Sequence, residues 1–303
     1  APHKKIFIYY ISKWRELWGV FIFAYQYSVI GGDIRQEILL KEFKKNTSCM
    51  RFGVGTEGDK AVSFELAVSL AENLLFPIPM CKGNRLNIHQ QDIVVTKEEV
   101  LKHLKKGQRV FAGCIDKVWE ERAKEKGVLC YDYMKENSIA IYNSIATAEG
   151  TIAEILQNYP YNLHGAKVMV LGYGNCAKTL AVKLKGISAE VCIVARSDQA
   201  LMEAYASGYC IMKLEKVSEV IKEYPLIVNT IPARIITRKE LECVDKEAEI
   251  YEIASFPYGL DIDIANKLGV TVRICSSLPA KYAPVSSAEI LKQYILEKTG
   301  GSV

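Results

Sequence analysis

The chain has 303 residues, of which 50% are apolar and 24% are charged, and its formal net charge is +4. This composition is ordinary for a globular protein, and the length predicts about two domains. Lysine and arginine are scattered among acidic residues without a basic stripe, which argues against a nucleic-acid partner. The nine cysteines and four histidines show neither a C-x-x-C spacing nor a histidine cluster. We therefore predict reduced thiols, a cytoplasmic location and no metal site.

Residues 1–26 form an N-terminal extension that is rich in aromatic side chains. Lys13, Arg15 and Glu16 lie in its middle, and three central charges argue against a membrane-spanning helix. A signal peptide fits poorly for the same reason. We interpret the extension as an added amphipathic helix or a start-site artefact and assign it no function.

The segment 27–143 alternates between short apolar runs and stretches of helical periodicity. Thr96 and Glu99 form the pattern of a capping box at the start of one helix. The alternation is typical of a parallel sheet covered on both faces, so we predict a doubly wound, flavodoxin-like N-terminal domain on the substrate side. The predicted strands are 27–30, 73–79, 109–113 and 128–131, and the predicted helices are 36–45 and 117–126.

A second alternating series, in residues 144–284, predicts a Rossmann-type domain that opens with a hinge helix at 144–158. A last helix at 287–298, within the segment 285–303, is expected to complete the first domain. The sequence thus predicts an α/β protein of two doubly wound parallel-sheet domains with a cleft between them. In the second domain the predicted strands are 166–171, 190–195, 226–231, 248–254 and 270–274, and the predicted helices are 175–185, 198–206, 215–223 and 261–268.

The strongest local motif is Gly172-Tyr-Gly174-Asn-Cys-Ala177, which has G-x-G-x-x-A spacing between a strand and a helix. Gly172 permits a tight turn, Gly174 lets the backbone approach a pyrophosphate, and Ala177 lets helix and strand pack closely. The first helical turn, with Asn175 and Cys176, offers free N–H groups to phosphates. The motif predicts a dinucleotide site, and a plain glycine turn is the alternative.

The following strand ends at Arg196 and Ser197, where an NAD site usually carries an acidic residue for the ribose 2′-hydroxyl. A guanidinium beside a hydroxyl suits a 2′-phosphate instead. We therefore predict NADP as the cofactor, with NAD as the alternative. A solvated arginine at a strand end is the competing interpretation.

Two later strands end in turns at the same edge of the predicted sheet. One turn is Thr230-Ile231-Pro232 and the other begins at Ala254. The carboxyl edge of an open parallel sheet is where a cofactor ribose and nicotinamide bind, so we predict contacts there. Simple loop punctuation is the alternative for each turn.

The first domain carries Gly31-Gly32-Asp33, followed by Arg35 and Gln36, after its first strand. A glycine turn that opens a helix can receive an anion, and an arginine can hold a carboxylate in a forked geometry. These five residues are therefore candidates for binding an anionic substrate.

A second polar segment lies at the predicted hinge and comprises Asn143, Ser144, Thr147 and Glu149. Such side chains at a helix start can line an interdomain cleft. An ordinary helix cap with Glu149 as its partner is the alternative.

Three strings together resemble the family of dipicolinate synthase A subunits: Ser-Val-Ile-Gly-Gly-Asp-Ile-Arg-Gln at 28–36, Ile-Tyr-Asn-Ser-Ile-Ala-Thr-Ala-Glu-Gly-Thr at 141–151, and Leu-Pro-Ala-Lys-Tyr-Ala-Pro at 278–284. The resemblance covers about residues 27–298. It implies a two-domain arrangement like that of D-2-hydroxyacid dehydrogenases, a partner in the flavoprotein-like B subunit of dipicolinate synthase, and a role in sporulation in the mother cell. We also expect a homo-oligomer.

The resemblance implies an NADP-dependent enzyme that forms pyridine-2,6-dicarboxylate from a hydroxylated tetrahydrodipicolinate by loss of water and two hydrogens. One substrate carboxylate would contact Arg35 and the glycine turn before it, and the other would contact Lys281 or Arg234. Glu149 is the candidate base. The residues expected to place that base are Asn143, Ser144 and Thr147.

The chain also departs from the family pattern, since Phe256 stands where that family usually has an arginine, and Ala146 and Ala280 replace a proline and a glycine. Two other hypotheses stay open. One is another NADP-dependent dehydrogenase of the 2-hydroxyacid or shikimate type, although no histidine follows His164 and Lys135 has no evident aspartate partner. The other is a nucleotide-binding scaffold subunit without chemistry of its own.

Overall fold

The computed structural model describes residues 23–55, 62–90 and 92–301. The predicted N-terminal extension lies almost wholly outside these residues. The chain divides into two compact units, Ala1–Ile139 with Pro284–Val303, and Ala140–Ala283. Each unit contains a parallel sheet, so the predicted α/β fold class is confirmed. Within the described residues, no helix has the length and hydropathy that a membrane span requires.

The first unit is built on a five-stranded parallel sheet in the order β2-β1-β3-β6-β7. A small antiparallel hairpin, β4-β5, stands apart from it. The strands are β1 Tyr25–Ile30, β2 Cys49–Phe52, β3 Ala71–Leu75, β4 Cys81–Lys82, β5 Arg85–Leu86, β6 Arg109–Ala112 and β7 Leu129–Asp132, and the helices are α1 Ile34–Asn46, α2 Phe64–Ser69, α3 Lys97–His103, α4 Lys117–Glu125 and the last helix of the chain, α12 Pro284–Thr299.

The last helix, α12, packs against α1 on one face of this sheet. Its Leu291 and Ile295 are buried in the same cluster as Leu39 and Phe43 of α1. Burying such side chains contributes roughly 1.5–3 kcal/mol each, and this burial holds α12 to the first sheet.

The predicted capping box at the start of α3 is confirmed, because the Thr96 side chain accepts from the Glu99 amide and Glu99 accepts from the Thr96 amide.

The second unit is built on a six-stranded parallel sheet in the order β10-β9-β8-β11-β12-β13. This is the 3-2-1-4-5-6 order of a dinucleotide-binding fold, and the strand order reverses between β8 and β11. The strands are β8 Lys167–Leu171, β9 Glu190–Ala195, β10 Cys210–Lys213, β11 Leu226–Asn229, β12 Glu249–Glu252 and β13 Thr271–Ile274, and the helices are α5 Asn137–Asn158, α6 Asn175–Gly186, α7 Asp198–Ala206, α8 Val217–Val220, α9 Arg238–Cys243, α10 Ile262–Leu268 and α11 Leu278–Tyr282.

The central strands of the second sheet are mostly apolar because both of their faces are covered. All four residues of β11 are buried, as are Val168, Met169, Val170 and Leu171 of β8. Continuous apolar runs of this kind are typical of parallel sheets with helices on both sides. The switch point thus lies at the end of two fully covered strands.

The hinge helix was predicted to begin near residue 144, and this was wrong. Helix α5 begins at Asn137, so Ser144 and Thr147 lie inside it and cap nothing. Their hydroxyls instead donate to the carbonyl oxygens of Ile141 and Asn143 in the preceding turn. Hydroxyl side chains bond backward in this way inside helices, which is why a cap pattern alone is ambiguous.

Several other elements differ from the sequence prediction. Strands β2, β4 and β5 and helices α2 and α9 were not predicted. The edge strand β10 was also not predicted, because its apolar run Cys210-Ile-Met212 is short, and its residues are partly or fully exposed. Residues 278–282 were interpreted as a turn but form the short helix α11. The predicted helix at 215–223 is α8 flanked by turns of 3₁₀ helix at 214–216 and 221–223.

A partly buried ion pair joins β12 to β13. Arg273 donates from Nε and Nη2 to the two carboxylate oxygens of Glu249, at 3.0 and 2.8 Å, and the Tyr251 hydroxyl donates to the same carboxylate. These hydrogen bonds outweigh burial and hold the pKa of Glu249 below its ordinary value. A lowered carboxyl pKa stabilises the fold above the unfolded-state pKa, and this contribution disappears as the pH falls through the folded-state pKa.

Replacing Arg273 by alanine is expected to lower the free energy of unfolding by about 2 kcal/mol near neutral pH, since it leaves a largely buried carboxylate unpaired. The loss should shrink in acid, where Glu249 is protonated. Urea unfolding followed by circular dichroism measures both effects. Arg238→Ala is the matched control: its pair with Glu242 is exposed and should contribute under about 0.5 kcal/mol. Equal losses in the two variants would contradict the prediction.

Candidate functional site

The turn between β8 and α6 contains two glycines that the structure uses differently. Gly172 has a φ of +103°, and a Cβ there would clash with the Thr230 hydroxyl and lie 3.0 Å from Ile231 Cγ1. Gly174 has a φ of −83°, and a Cβ there would meet nothing within 4 Å. The fold itself therefore requires glycine at 172, whereas the open space beside Gly174 is room for a ligand.

The amino end of α6 has no side-chain cap. Other helices of the chain are capped by aspartates, including Asp33 on α1 and Asp116 on α4, but Gly174 makes no such bond. The amide groups of Asn175 and Cys176 therefore face the open space with the positive end of the helix dipole. Ala177, the third residue of the motif, is fully buried against the core of the unit. This geometry suits a pyrophosphate.

The β11 turn forms the opposite wall of this space. Both the amide and the hydroxyl of Thr230 donate to the Leu171 carbonyl, at 3.1 and 2.7 Å, which ties the turn to the end of β8. Ile231 lies directly beside Gly172, and Pro232 is exposed. The residues predicted from the two turns therefore meet at the switch point.

A buried carboxylate that sequence reasoning missed organises the neighbouring turn. Glu252, at the end of β12, is fully buried and accepts two hydrogen bonds from Asn229 Nδ2, at 2.8 and 2.9 Å. It also accepts from the amides of Ala254 and Gly259, both at 2.9 Å. The one signal for Glu252 in the sequence was its charge, directly after the apolar residues Ile250 and Tyr251.

Burial raises the pKa of Glu252 above its ordinary value, against the lowering effect of its N–H donors. Every hydrogen-bond partner described for the carboxylate is a donor, so the ionised form is the one that satisfies them all. Glu252 therefore fixes the path of the 254–259 turn, including the predicted contact residue Ala254, by bonding both of its ends.

The end of β9 carries the two residues predicted to select the cofactor. Arg196 is exposed and makes no ion pair with any residue that the structure describes. The Ser197 hydroxyl caps α7 by accepting from the Ala200 amide at 3.4 Å. The nearest acidic residue along the chain, Asp198, pairs with Lys213 at 2.5 Å. The position thus offers a cation and a hydroxyl, and the preference for NADP stays a prediction.

Helix α5 brings two of its predicted site residues to the first turns of α6. The Ser144 hydroxyl lies 2.6 Å from that of Thr179, and Thr147 is in hydrogen-bond contact with the Cys176 thiol. Asn143 is half-buried one turn before Thr147. These side chains therefore support the helix end that faces the phosphate space.

Glu149 does not join them. Its carboxylate is half-exposed and pairs with Lys183 at 2.9 Å. Lys183 is nine residues past Gly174, which places it about 13 Å along α6 from the phosphate space. The prediction of Glu149 as the catalytic base at the cofactor edge is not supported by this position.

The two cations predicted for the second substrate carboxylate are also held in ion pairs. Lys281 pairs with Glu154 of α5 at 2.5 Å, and Arg234 pairs with Asp261 at 3.0 Å. Both cations are more than half exposed. Glu154 lies seven residues past Thr147, or about 10 Å along α5, so Lys281 is directed away from the first turn of α6.

In the first unit, the glycine turn after β1 cannot receive an anion as predicted. The amide of Gly31 donates to the Phe52 carbonyl and that of Gly32 to the Asn87 carbonyl, both at 2.8 Å. The turn uses its N–H groups to join neighbouring segments, so its glycines serve the fold.

The cation of the same segment is bound internally. Arg35 donates from Nε and Nη2 to the two oxygens of Asp33, at 2.9 and 2.6 Å, and from Nη2 to the Ile78 carbonyl. Burial alone would raise the pKa of Asp33, but the bonds and charge of Arg35 lower it below its ordinary value. Gln36 is buried and donates to the Leu75 carbonyl at 3.2 Å. The charge of Arg35 thus neutralises that of Asp33 at the carboxyl end of β1.

Two family models divide the chain. One, described as the N-terminal domain of the dipicolinate synthase A subunit, matches residues 26–134. The other, the S-adenosyl-L-homocysteine hydrolase NAD binding domain, matches residues 143–289. The fold, the uncapped helix end and the second match define the class: an α/β protein with a nicotinamide dinucleotide-binding domain.

Relatives of the whole chain narrow the class. The dipicolinate synthase A subunit from Bacillus subtilis is 28% identical over 87% of this chain and 92% of its own. The crystal structure of the dipicolinate synthase A subunit from Bacillus halodurans superposes with a TM-score of 0.78 at 25% identity, covering 92% of this chain and 99% of that chain. The chain is a relative of the dipicolinate synthase A subunits, and the resemblance predicted from its motifs is confirmed.

More distant matches concern one domain or the fold alone. Adenosylhomocysteinase from Halobacterium salinarum is 27% identical over 43% of this chain, which is 30% of that protein. A putative D-3-phosphoglycerate dehydrogenase from Ralstonia solanacearum has a TM-score of 0.58 at 13% identity, over 92% of this chain and 96% of its own. The dehydrogenase-like fold is therefore shared well beyond the nearer relatives.

Gly174→Ala and Gly172→Ala should distinguish a glycine needed for ligand binding from one needed for folding. The alanine at 174 fills the space beside the helix end, so nicotinamide dinucleotide affinity should fall at least about tenfold while the free energy of unfolding drops by under about 1 kcal/mol. The alanine at 172 is strained by its positive φ and by Thr230, so unfolding itself should become easier. Fluorescence titration and urea unfolding without cofactor measure the two effects. Undiminished cofactor binding by the 174 variant would remove Gly174 from the site.

Proposed function

We propose that this chain is the A subunit of a dipicolinate synthase, an NAD(P)-dependent oxidoreductase that forms pyridine-2,6-dicarboxylate from a dihydrodipicolinate precursor. The observation that carries the proposal is the combination of an uncapped α6 amino end beside Gly174 with a dipicolinate synthase relative that spans 87% of the chain. The nicotinamide, when bound, accepts the hydride that leaves the ring. The accompanying proton is released as the ring becomes aromatic.

We propose that NADP is preferred over NAD. Arg196 is an exposed cation without an ion-pair partner among the described residues, and Ser197 supplies a hydroxyl beside it. An adenosine 2′-phosphate placed there would gain a charge-assisted hydrogen bond that the 2′-hydroxyl of NAD lacks. The match to an NAD binding domain supports binding of a nicotinamide dinucleotide. The preference for NADP over NAD rests on Arg196.

The ion pairs change which residues we assign to the reaction. Glu149, Lys281 and Arg234 are each bound to a residue of opposite charge and are not assigned a catalytic role. Ser144 and Thr147 position α6 through Thr179 and Cys176. Since aromatisation of a dihydropyridine is downhill, orientation against the nicotinamide is the main requirement for catalysis.

The Arg35–Asp33 pair is proposed as the substrate-side element of the first unit. It is a buried, hydrogen-bonded pair at the carboxyl edge of a parallel sheet, the edge at which open α/β sheets bind ligands. The described bonds of Arg35 come from Nε and Nη2 alone, so the guanidinium keeps further N–H donors that a substrate carboxylate would share with Asp33. We further propose that the chain acts with a B subunit, forms a homo-oligomer and works in the mother cell during sporulation.

A scaffold function is the second candidate, and one observation favours it. Glu149, predicted for catalysis, and Arg234 and Lys281, predicted for substrate binding, are each held in an ion pair. A chain of this kind would bind the cofactor and leave the chemistry to its partner.

Titration of the chain with NADPH and NADH, with and without dipicolinate, tests the proposed function. We expect NADPH to bind more tightly than NADH, and dipicolinate to strengthen NADPH binding, because the proposed reaction has these two molecules as its products. Reduced-cofactor fluorescence measures the affinities, and turnover is then assayed with and without the B subunit. Cofactor binding that does not change with dipicolinate, together with no turnover in either assay, would contradict the proposed enzyme and favour the scaffold function.

Arg196→Ala tests the cofactor preference by itself. Loss of the guanidinium should weaken NADPH binding by about ten- to one-hundredfold, the value of one or two charge-assisted hydrogen bonds, and leave NADH binding within about twofold. Lys213→Ala is the control, since that cation pairs with Asp198 two residues beyond Arg196. Parallel losses for both cofactors in the 196 variant would assign Arg196 a structural role.

A further inference from the structure

A cavity of about 440 Å³ lies at the amino edge of the second sheet. It is lined where three neighbouring strands begin, by residues that include Lys167 of β8, Glu190 of β9 and Cys210 of β10. The cofactor turn lies at the opposite, carboxyl edge of the same sheet. The cavity therefore belongs to a different face of the unit from the proposed dinucleotide site.

Two cysteines meet in the wall of this cavity. Cys192 and Cys210 are direct partners in the register of the parallel strands β9 and β10. Neighbouring strands lie about 4.7–4.9 Å apart, and partner residues on them point to the same face. Disulfides require a Cα separation of about 4.4–6.8 Å, so this pair meets that requirement without a change of backbone register.

The two thiols differ in access. Cys210 is exposed, whereas Cys192 is 1% exposed and is in hydrogen-bond contact with Cys210 and with the Tyr224 hydroxyl. Burial raises the pKa of Cys192 to about 12. A small molecule can therefore reach Cys210 first, and Cys192 is held against it as a second thiol.

We propose that Cys210 and Cys192 form a reversible thiol–disulfide exchange site that reacts with small disulfides bearing carboxylates. The Cys210 thiolate attacks one sulfur of the small disulfide, forms a mixed disulfide and releases one small thiolate. Cys192, after losing its proton to solvent, attacks Cys210 Sγ and releases the second small thiolate. The protein loses two protons and two electrons, and the small disulfide is reduced to two thiols.

The charges around the cavity set the preference for carboxylates. Lys167 is exposed at its rim, and Lys185 donates to the carbonyls of Ser207 and Gly208, both at 3.1 Å, beside the Tyr209 ring. Glu190 is the one acidic residue in the lining. The lining thus carries two cations and one anion, which attracts an anionic partner.

The resulting cross-strand disulfide would be readily reduced. It joins adjacent strands at the edge of the sheet, where β10 is exposed to solvent at Cys210. Disulfides that are strained or exposed have higher reduction potentials and are the ones exchanged by small thiols. The site therefore fits a reversible modification rather than a structural bond.

The full-length chain treated with the carboxylate-bearing disulfide dithiobis(nitrobenzoate) tests the proposal, with peptide mass mapping at each cysteine. We expect the pair to release two coloured thiolates and leave a Cys192–Cys210 cross-link without an adduct. In Cys192→Ser, the reaction at Cys210 should release one thiolate and leave the adduct on Cys210. In Cys210→Ser the buried Cys192 should stay unmodified, whereas Cys114→Ser, at another exposed cysteine, should leave the pair's reaction unchanged.

A stable adduct on Cys210 with a free Cys192 thiol in the unaltered chain would overturn the proposal, as would absence of reaction at both positions. Lys167→Glu tests the charge preference: the first step should slow about threefold at low salt and recover at high salt. A rate that is the same in that variant would overturn the preference for carboxylates. Circular dichroism establishes that each variant is folded, and no step of the test involves the dinucleotide.

Discussion

The contact between the β8 turn and the β11 turn is the constraint on which the rest of the second unit depends. Thr230 bonds the Leu171 carbonyl through two donors and comes so close to Gly172 that no side chain fits there. Adjacent parallel strands with opposite crossover directions meet at this point, and their turns must diverge. The space between them, beside Gly174 and the uncapped end of α6, is a consequence of that divergence.

The polar groups around this space are arranged by bonds that link successive strands. Glu252 holds Asn229 of the neighbouring strand and both ends of its own following turn. Ser144 of α5 reaches Thr179 of α6. The Glu252–Asn229 and Ser144–Thr179 contacts join segments far apart in the sequence, so the arrangement of the site depends on the packing of the sheet and its helices. A buried carboxylate with only N–H donors as partners is a rigid organiser, since any change of its charge leaves a donor unsatisfied.

In the second unit, ion pairs separate the charged residues that are available to a ligand from those that are already neutralised. Arg196 has no partner among the described residues, whereas Glu149 is committed to Lys183 and Lys281 to Glu154. The same distinction separates the two edges of the second sheet. At the carboxyl edge the available groups are backbone amides and one arginine, which suit phosphates, and at the amino edge they are two thiols and two lysines around a cavity.

The sequence by itself determined the fold class, the second sheet's five predicted strands and the glycine motif, because apolar period and turn chemistry are local properties. It also identified the family through three short strings. It placed the start of α5 wrongly and missed several short elements, β10 among them, as well as Glu252, since a hydroxyl inside a helix resembles a cap, and the apolar run of a short edge strand is only three residues long. Only the tertiary structure decided which charges are neutralised and that Cys192 meets Cys210, because ion pairs and strand register join residues that no local pattern relates.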